Sequence, residues 1–246
     1  MSGAVSKTSW EVVVADSLIE HAALSAEMLA RAIVEAVAQR GLARIALSGG
    51  STPQAMHQRL ASMALPWDKI EVFWVDERAA ALSSKRSNFG QAEKDLGLAS
   101  LPSLRVFRME ADDADLESAA RRYEVLLRQH FGIASAVAFD AMVLGVGDDG
   151  HTASLFPGTG AVFWDDRLVA AVPAAPELGR EARLTLTAPV LKEARLLVVL
   201  AAGVGKQATI AAAFSPGSVD EIPSRLLHEA RGKVVWVLDR AAYPSG

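Results

Sequence analysis

The 246-residue chain contains no cysteine, so disulfide bonds, thiolate-bound metals and a thiol nucleophile are excluded. Long hydrophobic runs are also missing, because the longest one, Leu196 to Val204, is too short to span a bilayer. The first residues, Met1 to Lys7, lack the basic segment followed by an apolar segment that is typical of a secretion signal. We therefore expect a cytoplasmic protein that does not bind membranes.

An excess of positive charge is absent as well, since the formal net charge is −4 at pH 7. This balance argues against nucleic acid as a partner, although it leaves room for a local basic pocket. Apolar residues make up 51% of the chain, which suits a central sheet covered by helices on both faces. No repeat or low-complexity linker marks a boundary, so we expect one domain over residues 1–246.

Short apolar stretches alternate with helical patterns along almost the whole chain. The clearest predicted strands are Trp10 to Ala15, Ala43 to Leu47, Ile70 to Val75, Phe139 to Leu144, Leu196 to Leu200 and Val234 to Leu238. This alternation predicts an α/β fold, a single-domain three-layer αβα sandwich with a mainly parallel, Rossmann-like sheet. Polar clusters at 48–52, 76–78, 147–151 and 203–206 follow strands and should converge at the carboxyl edge of that sheet.

The stretch from Leu144 to Pro157 is the best candidate for a reaction centre. Asp149 and His151 lie two residues apart in a glycine-rich loop, so their side chains can form an oriented general base. Gly145 to Gly150 also matches the G-x-G-x-x-G pattern of dinucleotide-binding proteins. We reject that interpretation because Asp148 and Asp149 would repel a pyrophosphate and the match comes late in the chain.

His151 is one of five histidines, and the other four are expected to be surface or hydrogen-bonded residues of helices. No histidine or carboxylate spacing typical of zinc accompanies it, so we expect no metal site.

The stretch from Ser48 to Pro53 offers backbone N–H groups, hydroxyls and a helix start that suit a phosphate. The alternative is a plain turn in which Ser51 or Thr52 caps the helix. Arg78 is suited to gripping a phosphate or carboxylate, with Asp76 holding it in place. Arg183 and Lys206 add positive charge, although each could equally have an ordinary surface role.

Taken in order, these motifs resemble the 6-phosphogluconolactonase branch of the glucosamine-6-phosphate isomerase/6-phosphogluconolactonase family. The matching pieces are Leu47 to Pro53, Val75 to Arg78, Ser87-Asn88, Leu144 to Pro157, Arg183 to Thr185 and Gly205-Lys206. The resemblance implies a glucosamine-6-phosphate deaminase-like fold and hydrolysis of 6-phospho-D-glucono-1,5-lactone to 6-phosphogluconate in the pentose phosphate pathway. It also implies that no metal or organic cofactor takes part, and that the partner is a small sugar phosphate lactone bound by a monomer or small homo-oligomer.

Site roles follow from the residues and the resemblance together. We expect His151, Asp149 and Arg78 to be catalytic. The expected substrate- and phosphate-binding residues are Ser48, Gly49, Gly50, Ser51, Thr52, Asp76, Asn88, Arg183 and Lys206.

Two alternatives stay open. Glucosamine-6-phosphate deaminase resembles this chain in its phosphate loop and its Asp-Gly-His motif. That family has a glutamate before the proline, where this chain has Phe156, and an aromatic residue where this chain has Arg78. A non-catalytic sugar-phosphate sensor is the other alternative, but no basic recognition helix for DNA precedes the first strand.

Overall fold

A seven-stranded parallel sheet forms the centre of the computed structural model, which describes residues 10–101, 103–132 and 136–244. The strands are β1 Trp10–Ala15, β2 Ala43–Leu47, β3 Ile70–Trp74, β4 Asp76–Arg78, β5 Arg105–Phe107, β6 Ala141–Gly145, β7 Val169–Val172, β8 Arg183–Leu186, β9 Leu196–Ala201 and β10 Lys233–Asp239. The order in the main sheet is β1-β10-β9-β6-β2-β3-β5. Its central strands are buried apolar runs, as expected for a sheet covered on both faces.

Helices cover the two faces of this sheet, and the predicted three-layer αβα sandwich is confirmed. They are α1 Leu18–Arg40, α2 Ser51–Ala61, α3 Asn88–Asp95, α4 Leu116–Phe131, α5 Ala188–Glu193 and α6 Gln207–Phe214. The long helix α1 starts where Ser17 accepts a hydrogen bond from the Glu20 backbone, and it ends at Gly41 with φ of 74°. In the part of the chain described, no helix is long and apolar enough to cross a membrane.

A second, three-stranded antiparallel sheet stands beside the carboxyl edge, in the order β4-β8-β7. In the sequence, the polar cluster at 76–78 follows the predicted strand Ile70 to Val75. These residues form β4, in which Asp76 and Glu77 are buried. Val75 joins the two sheets, since its N–H bonds to Leu47 of β2 and its carbonyl accepts from Leu186 of β8.

The strand order reverses between β2 and β6, which are neighbours in the main sheet. From β2 the chain adds β3 and then β5 on one side, whereas β6, β9 and β10 follow on the other side. In open α/β sheets a ligand crevice forms at such a switch point, beyond the carboxyl ends of the strands. The segment 48–52 leaves β2 and the segment 147–151 leaves β6, so both loops start at this point.

Helix α2 begins at Ser51, within the stretch from Ser48 to Pro53 where the sequence predicts a helix start. Its N-cap is Gly50, with φ of 111° and no side-chain hydrogen bond to the first turn. The alternative in which Ser51 or Thr52 caps the helix is therefore wrong. Glycine permits this backbone conformation, and the first N–H groups of α2 are left without a capping side chain.

Candidate active site

A pocket of about 230 Å³ opens at the switch point and is called here the central pocket. It is lined by Ser48, Gly49, Gly50, Ser51, Thr52, Pro53, Asp76, Arg78, Gly145, Val146, Gly147, His151, Ala153, Arg183 and Lys206. Ten of the twelve residues predicted for the site are in this lining, and they come from five separate segments of the chain. The other two, Asp149 and Asn88, lie behind it.

A larger cavity, about 710 Å³, lies at the amino edge of the sheet among Arg40, Asp140, Arg195, Arg231 and other residues. Its charged side chains largely pair with acidic neighbours, as Arg40 does with Asp140 at 2.8 Å and Arg231 with Glu193 at 3.0 Å. We place the chemistry in the smaller central pocket because the loops of the switch point meet there, beside Arg78 and Arg183.

The loop between β2 and α2, residues 48–50, forms one wall of the central pocket. Ser48 donates a hydrogen bond from Oγ to the Val143 carbonyl at 2.8 Å, which ties this loop to β6. Gly49 packs so closely on Asn88 that an added Cβ would lie 2.0 Å from Asn88 Oδ1. The loop therefore holds the uncapped N-terminus of α2 towards the pocket, an arrangement that favours an anion.

Asp149 and His151 form a close pair on the loop after β6. His151 Nδ1 lies 2.5 Å from Asp149 Oδ1, and the His151 backbone N–H donates to the same oxygen at 3.1 Å. Gly147 leaves room for this pair, since a Cβ there would lie 2.1 Å from the His151 ring. The placement of both residues on a loop after the strand agrees with the expectation from their spacing.

The Asp149 carboxyl is held in its charged form. Partial burial by itself raises the pKa of this carboxyl, but hydrogen bonds and charge from His151, together with the charge of Arg180, outweigh burial. The result is a pKa lowered from 3.8 to about 2. Asp149 is thus an anion at every pH at which a histidine base would work.

Arg180 and Phe156 complete the surroundings of this pair, and the sequence did not identify Arg180. Arg180 Nη2 lies 2.9 Å from Asp149 Oδ2, and its guanidinium carbon lies 4.3 Å from the centre of the Phe156 ring. The Phe156 ring also packs against His151, with 4.6 Å between ring centres. The only sequence signal was a basic residue close before β8, at the end of a loop whose path could not be predicted.

Asp76 was expected to hold Arg78, but the structure pairs it with other groups. Asp76 Oδ2 accepts a hydrogen bond from Ser154 at 2.7 Å and lies 3.5 Å from Arg183 Nη1. Arg78 instead donates from Nη1 to the Arg86 carbonyl at 3.0 Å. The Nε atoms of Arg78 and Arg183 are buried and have no hydrogen-bond partner among the described residues.

Arg183 is itself destabilised as a cation by its position. Burial lowers the pKa of its guanidinium, the nearby charge of Asp76 opposes that effect, and the charge of Arg78 adds to it. The central pocket therefore contains two guanidinium groups whose charge is only partly compensated, which suits an anionic ligand.

Asn88 and Glu77 support the pocket wall from behind. Asn88 donates from Nδ2 to the carbonyl of Asp76 at 2.9 Å and to its carboxylate at 3.1 Å. Glu77 accepts hydrogen bonds from the backbone N–H groups of Asn88 and Phe89 and thereby caps α3. Burial raises the pKa of Glu77 even though these bonds oppose it. Asn88 was predicted to bind substrate, whereas here it braces Asp76 and the loop at Gly49.

Lys206 lines the pocket but already has an anionic neighbour. Its Nζ lies 2.5 Å from Asp148 Oδ1, and the Asp148 side chain is 85% exposed. The two carboxylates of the loop therefore point to different cations, with Asp148 on Lys206 and Asp149 on Arg180.

The remaining histidines lie outside the pocket, and one of them departs from expectation. His57 in α2 is buried, and its Nε2 has no hydrogen-bond partner within the described ranges. Burial lowers its pKa to about 4, against a smaller opposing effect of the Asp95 charge. The expectation of a surface or hydrogen-bonded residue is thus wrong for His57, while His21 bonds to the Val237 carbonyl at 2.9 Å.

Comparison with known proteins adds independent information about the whole chain. A sequence model of the family described as glucosamine-6-phosphate isomerases/6-phosphogluconolactonase matches residues 16–236. A 6-phosphogluconolactonase from Synechocystis sp. is 39% identical over 214 residues, covering 85% of this chain and 87% of the relative. One from Nostoc sp. is 35% identical over 224 residues, covering 89% and 91%. The solved structure of 6-phosphogluconolactonase from Trypanosoma brucei superimposes with a TM-score of 0.83 at 27% identity, covering 96% of this chain and 97% of that one.

Proposed function

The chain belongs to the glucosamine-6-phosphate isomerase/6-phosphogluconolactonase family, and from that premise we propose that it hydrolyses 6-phospho-D-glucono-1,5-lactone to 6-phosphogluconate. This reaction belongs to the oxidative pentose phosphate pathway. The observation that carries the proposal is the central pocket, where an uncapped helix N-terminus and a carboxylate-bound histidine line one cavity of about 230 Å³. Such a pocket combines an anion site with a base, as a phosphorylated lactone requires.

The 6-phosphate binds at the N-terminus of α2 in this proposal. Backbone N–H groups and the hydroxyls of Ser51 and Thr52 are available there, and Lys206 lines the same pocket. The helix dipole and the ammonium group both favour a doubly charged phosphate. Fixing the phosphate in this way orients the lactone ring in the pocket and lowers the entropic part of the barrier.

His151 acts as the general base. Asp149 accepts a hydrogen bond from Nδ1–H, so Nε2 is the basic nitrogen and takes a proton from the attacking water. The water oxygen forms a bond to the lactone carbonyl carbon, and the carbonyl oxygen becomes an oxyanion. Arg78, which lines the pocket, stabilises that charge with its guanidinium group.

Collapse of the tetrahedral intermediate completes the reaction. The bond between the carbonyl carbon and the ring oxygen breaks, and His151 returns its proton to that oxygen. The product is an open-chain sugar acid that ionises at neutral pH and releases one proton to solvent. Arg183, held by Asp76, lies on the same side as Arg78 and adds positive charge where the carboxylate forms.

One assay separates this function from the alternatives. Acid release is measured on lactone freshly generated from glucose 6-phosphate, beside ammonia release from glucosamine 6-phosphate. We expect acid release well above the spontaneous rate and no ammonia, because Phe156 stands where the deaminase has a glutamate. Ammonia release would favour the deaminase, and binding of 6-phosphogluconate without either reaction would favour a sensor.

A further inference from the structure

Arg180 lies in the segment between β7 and β8, where two backbone hydrogen bonds fix its position. The N–H of Arg180 donates to the Ala175 carbonyl at 3.0 Å, and the N–H of Ala175 donates to the Arg180 carbonyl at 2.9 Å. Only a fifth of the Arg180 side chain is exposed. The guanidinium group is thus presented to the Asp149 loop from a separate part of the chain.

The contacts of Asp149 divide between its two oxygens. Oδ1 accepts from the ring and the backbone of His151, whereas Oδ2 lies 2.9 Å from Arg180 Nη2. Phe156 lies against both the His151 ring and the Arg180 guanidinium, at 4.6 Å and 4.3 Å. The arginine is therefore constrained by a ring on one side and by a carboxylate at its end.

We propose that Arg180 is a positioning residue that binds Oδ2 of Asp149. By offsetting the charge of that carboxylate, it makes His151 less basic than His151 would be with Asp149 alone. The inference rests on the proposed function, in which His151 is the base. An adjacent carboxylate favours the protonated imidazolium, and a cation on the same carboxylate weakens that effect. Removing Arg180 should therefore let Asp149 favour a proton on the His151 ring more strongly.

Other charged groups surround the pair and must be considered. Arg183 lies over the Phe156 ring at 5.1 Å, and Lys206 is paired with Asp148 on the same loop. Arg78 and Asp76 complete the charged lining of the central pocket. Among the described side chains, Arg180 is the cation that contacts the Asp149 carboxylate directly, so its removal should change the charge felt by His151 through that carboxylate.

The test is an NMR titration of the His151 ring in the wild type and in Arg180→Gln, with the signal assigned by His151→Asn. The backbone bond from His151 to Asp149 Oδ1 is local and does not need Arg180, so the pair should persist. We expect the midpoint to move up by about half to one pH unit. The acid limb of kcat/KM should move with it, giving a loss of about three- to tenfold below the midpoint.

Three controls keep the result specific. Arg180→Lys retains the charge, so the midpoint of its His151 titration should lie close to that of the wild type. If Arg180 were needed only for folding, the lysine would not return the midpoint towards the wild-type value. Arg167→Gln removes an arginine whose ion pair is with its exposed neighbour Asp166, and it should change neither quantity. In an Asp149→Asn background, Arg180→Gln should move the midpoint by less than half as much, because the effect passes through Asp149.

An unchanged or lower midpoint in Arg180→Gln would overturn the inference. If Arg180→Gln does not fold, the His151 midpoint in Arg180→Lys tests the inference instead. The lysine should contact Asp149 more weakly than the arginine, so the midpoint should still move slightly upward. The titration needs no substrate. A chain that fails to hydrolyse the lactone would therefore refute the proposed function while leaving the role of Arg180 open to measurement.

Discussion

Arg78 and Arg183 are direct cross-strand partners in the antiparallel pair β4 and β8, so two positive charges stand side by side at the central pocket. Like charges in this position are destabilising by a few tenths to about 1 kcal/mol in ordinary sheets. Asp76 lies 3.5 Å from Arg183 and compensates one of them. The arrangement is understandable if an anionic ligand supplies the remaining negative charge.

Arg78→Met should therefore separate stability from function. We expect kcat/KM for the lactone to fall by about 10²-fold, while the free energy of unfolding stays the same or rises by up to about 1 kcal/mol. Steady-state kinetics and urea unfolding measure the two effects. Arg86→Met serves as a control because Arg86 is largely exposed and does not line the pocket. A large loss of stability with normal turnover would contradict this role.

His151→Ala should remove the base and leave the binding site intact. We expect kcat to fall by about 10²–10⁴-fold, while the Kd for 6-phosphogluconate, measured by calorimetry, changes little. Asp149→Asn should lose less, because His151 remains but is no longer held in one tautomer. If His151→Ala retained normal turnover, the base would have to be sought elsewhere in the pocket.

Variants of Lys206 and Asp148 should change KM in opposite directions. Lys206→Met should raise KM about tenfold with little change in kcat, because it removes a cation from the phosphate end of the pocket. Asp148→Asn should lower KM by about two- to fivefold, since the carboxylate 2.5 Å from Lys206 Nζ competes with the phosphate. Kinetics at fixed ionic strength compare the two variants. Equal effects in the same direction would show that Asp148 does not compete for Lys206.

Gly49→Ala tests the contact that shapes the phosphate loop. The new Cβ would lie 2.0 Å from Asn88 Oδ1 and 2.4 Å from its Cγ, and two hydrogen bonds to Asp76 hold that amide in place. We expect a loss of about 1–3 kcal/mol in the free energy of unfolding. Gly205→Ala is the matched control, because its Cβ would meet nothing within 4 Å. Adding Asn88→Ala should recover part of the loss, and a purely additive result would exclude this contact as the cause.

The buried His57 should make the stability of the protein depend on pH. The unfolded chain takes up a proton on this residue near pH 6.5, but burial lowers the folded-state pKa to about 4. Between these values the unfolded state binds more protons, so stability falls as the pH falls, by at most about 3 kcal/mol. His57→Leu should remove this part of the acid sensitivity. Urea unfolding at pH 7 and pH 4.5 measures it, and an equal difference in both proteins would assign the sensitivity to other groups.

The sequence by itself determined most of the main sheet and the main components of the candidate site. Apolar runs of strand length and glycine loops after strands are local signals, because each depends on residues close together in the chain. The convergence of the loops after β2 and β6 also followed, since parallel strands bring their carboxyl ends to one edge.

Only the tertiary structure decided how the charged side chains are paired. The contact of Asp149 with Arg180 spans 31 residues, and that of Asp76 with Ser154 spans 78 residues. Both depend on the small antiparallel sheet, which sets β8 against β4 and which no local pattern predicted. Long-range pairing of polar groups follows from the packing of separate elements, where one shift of register would exchange every partner. The same reasoning explains why Asn88 supports the pocket rather than lining it.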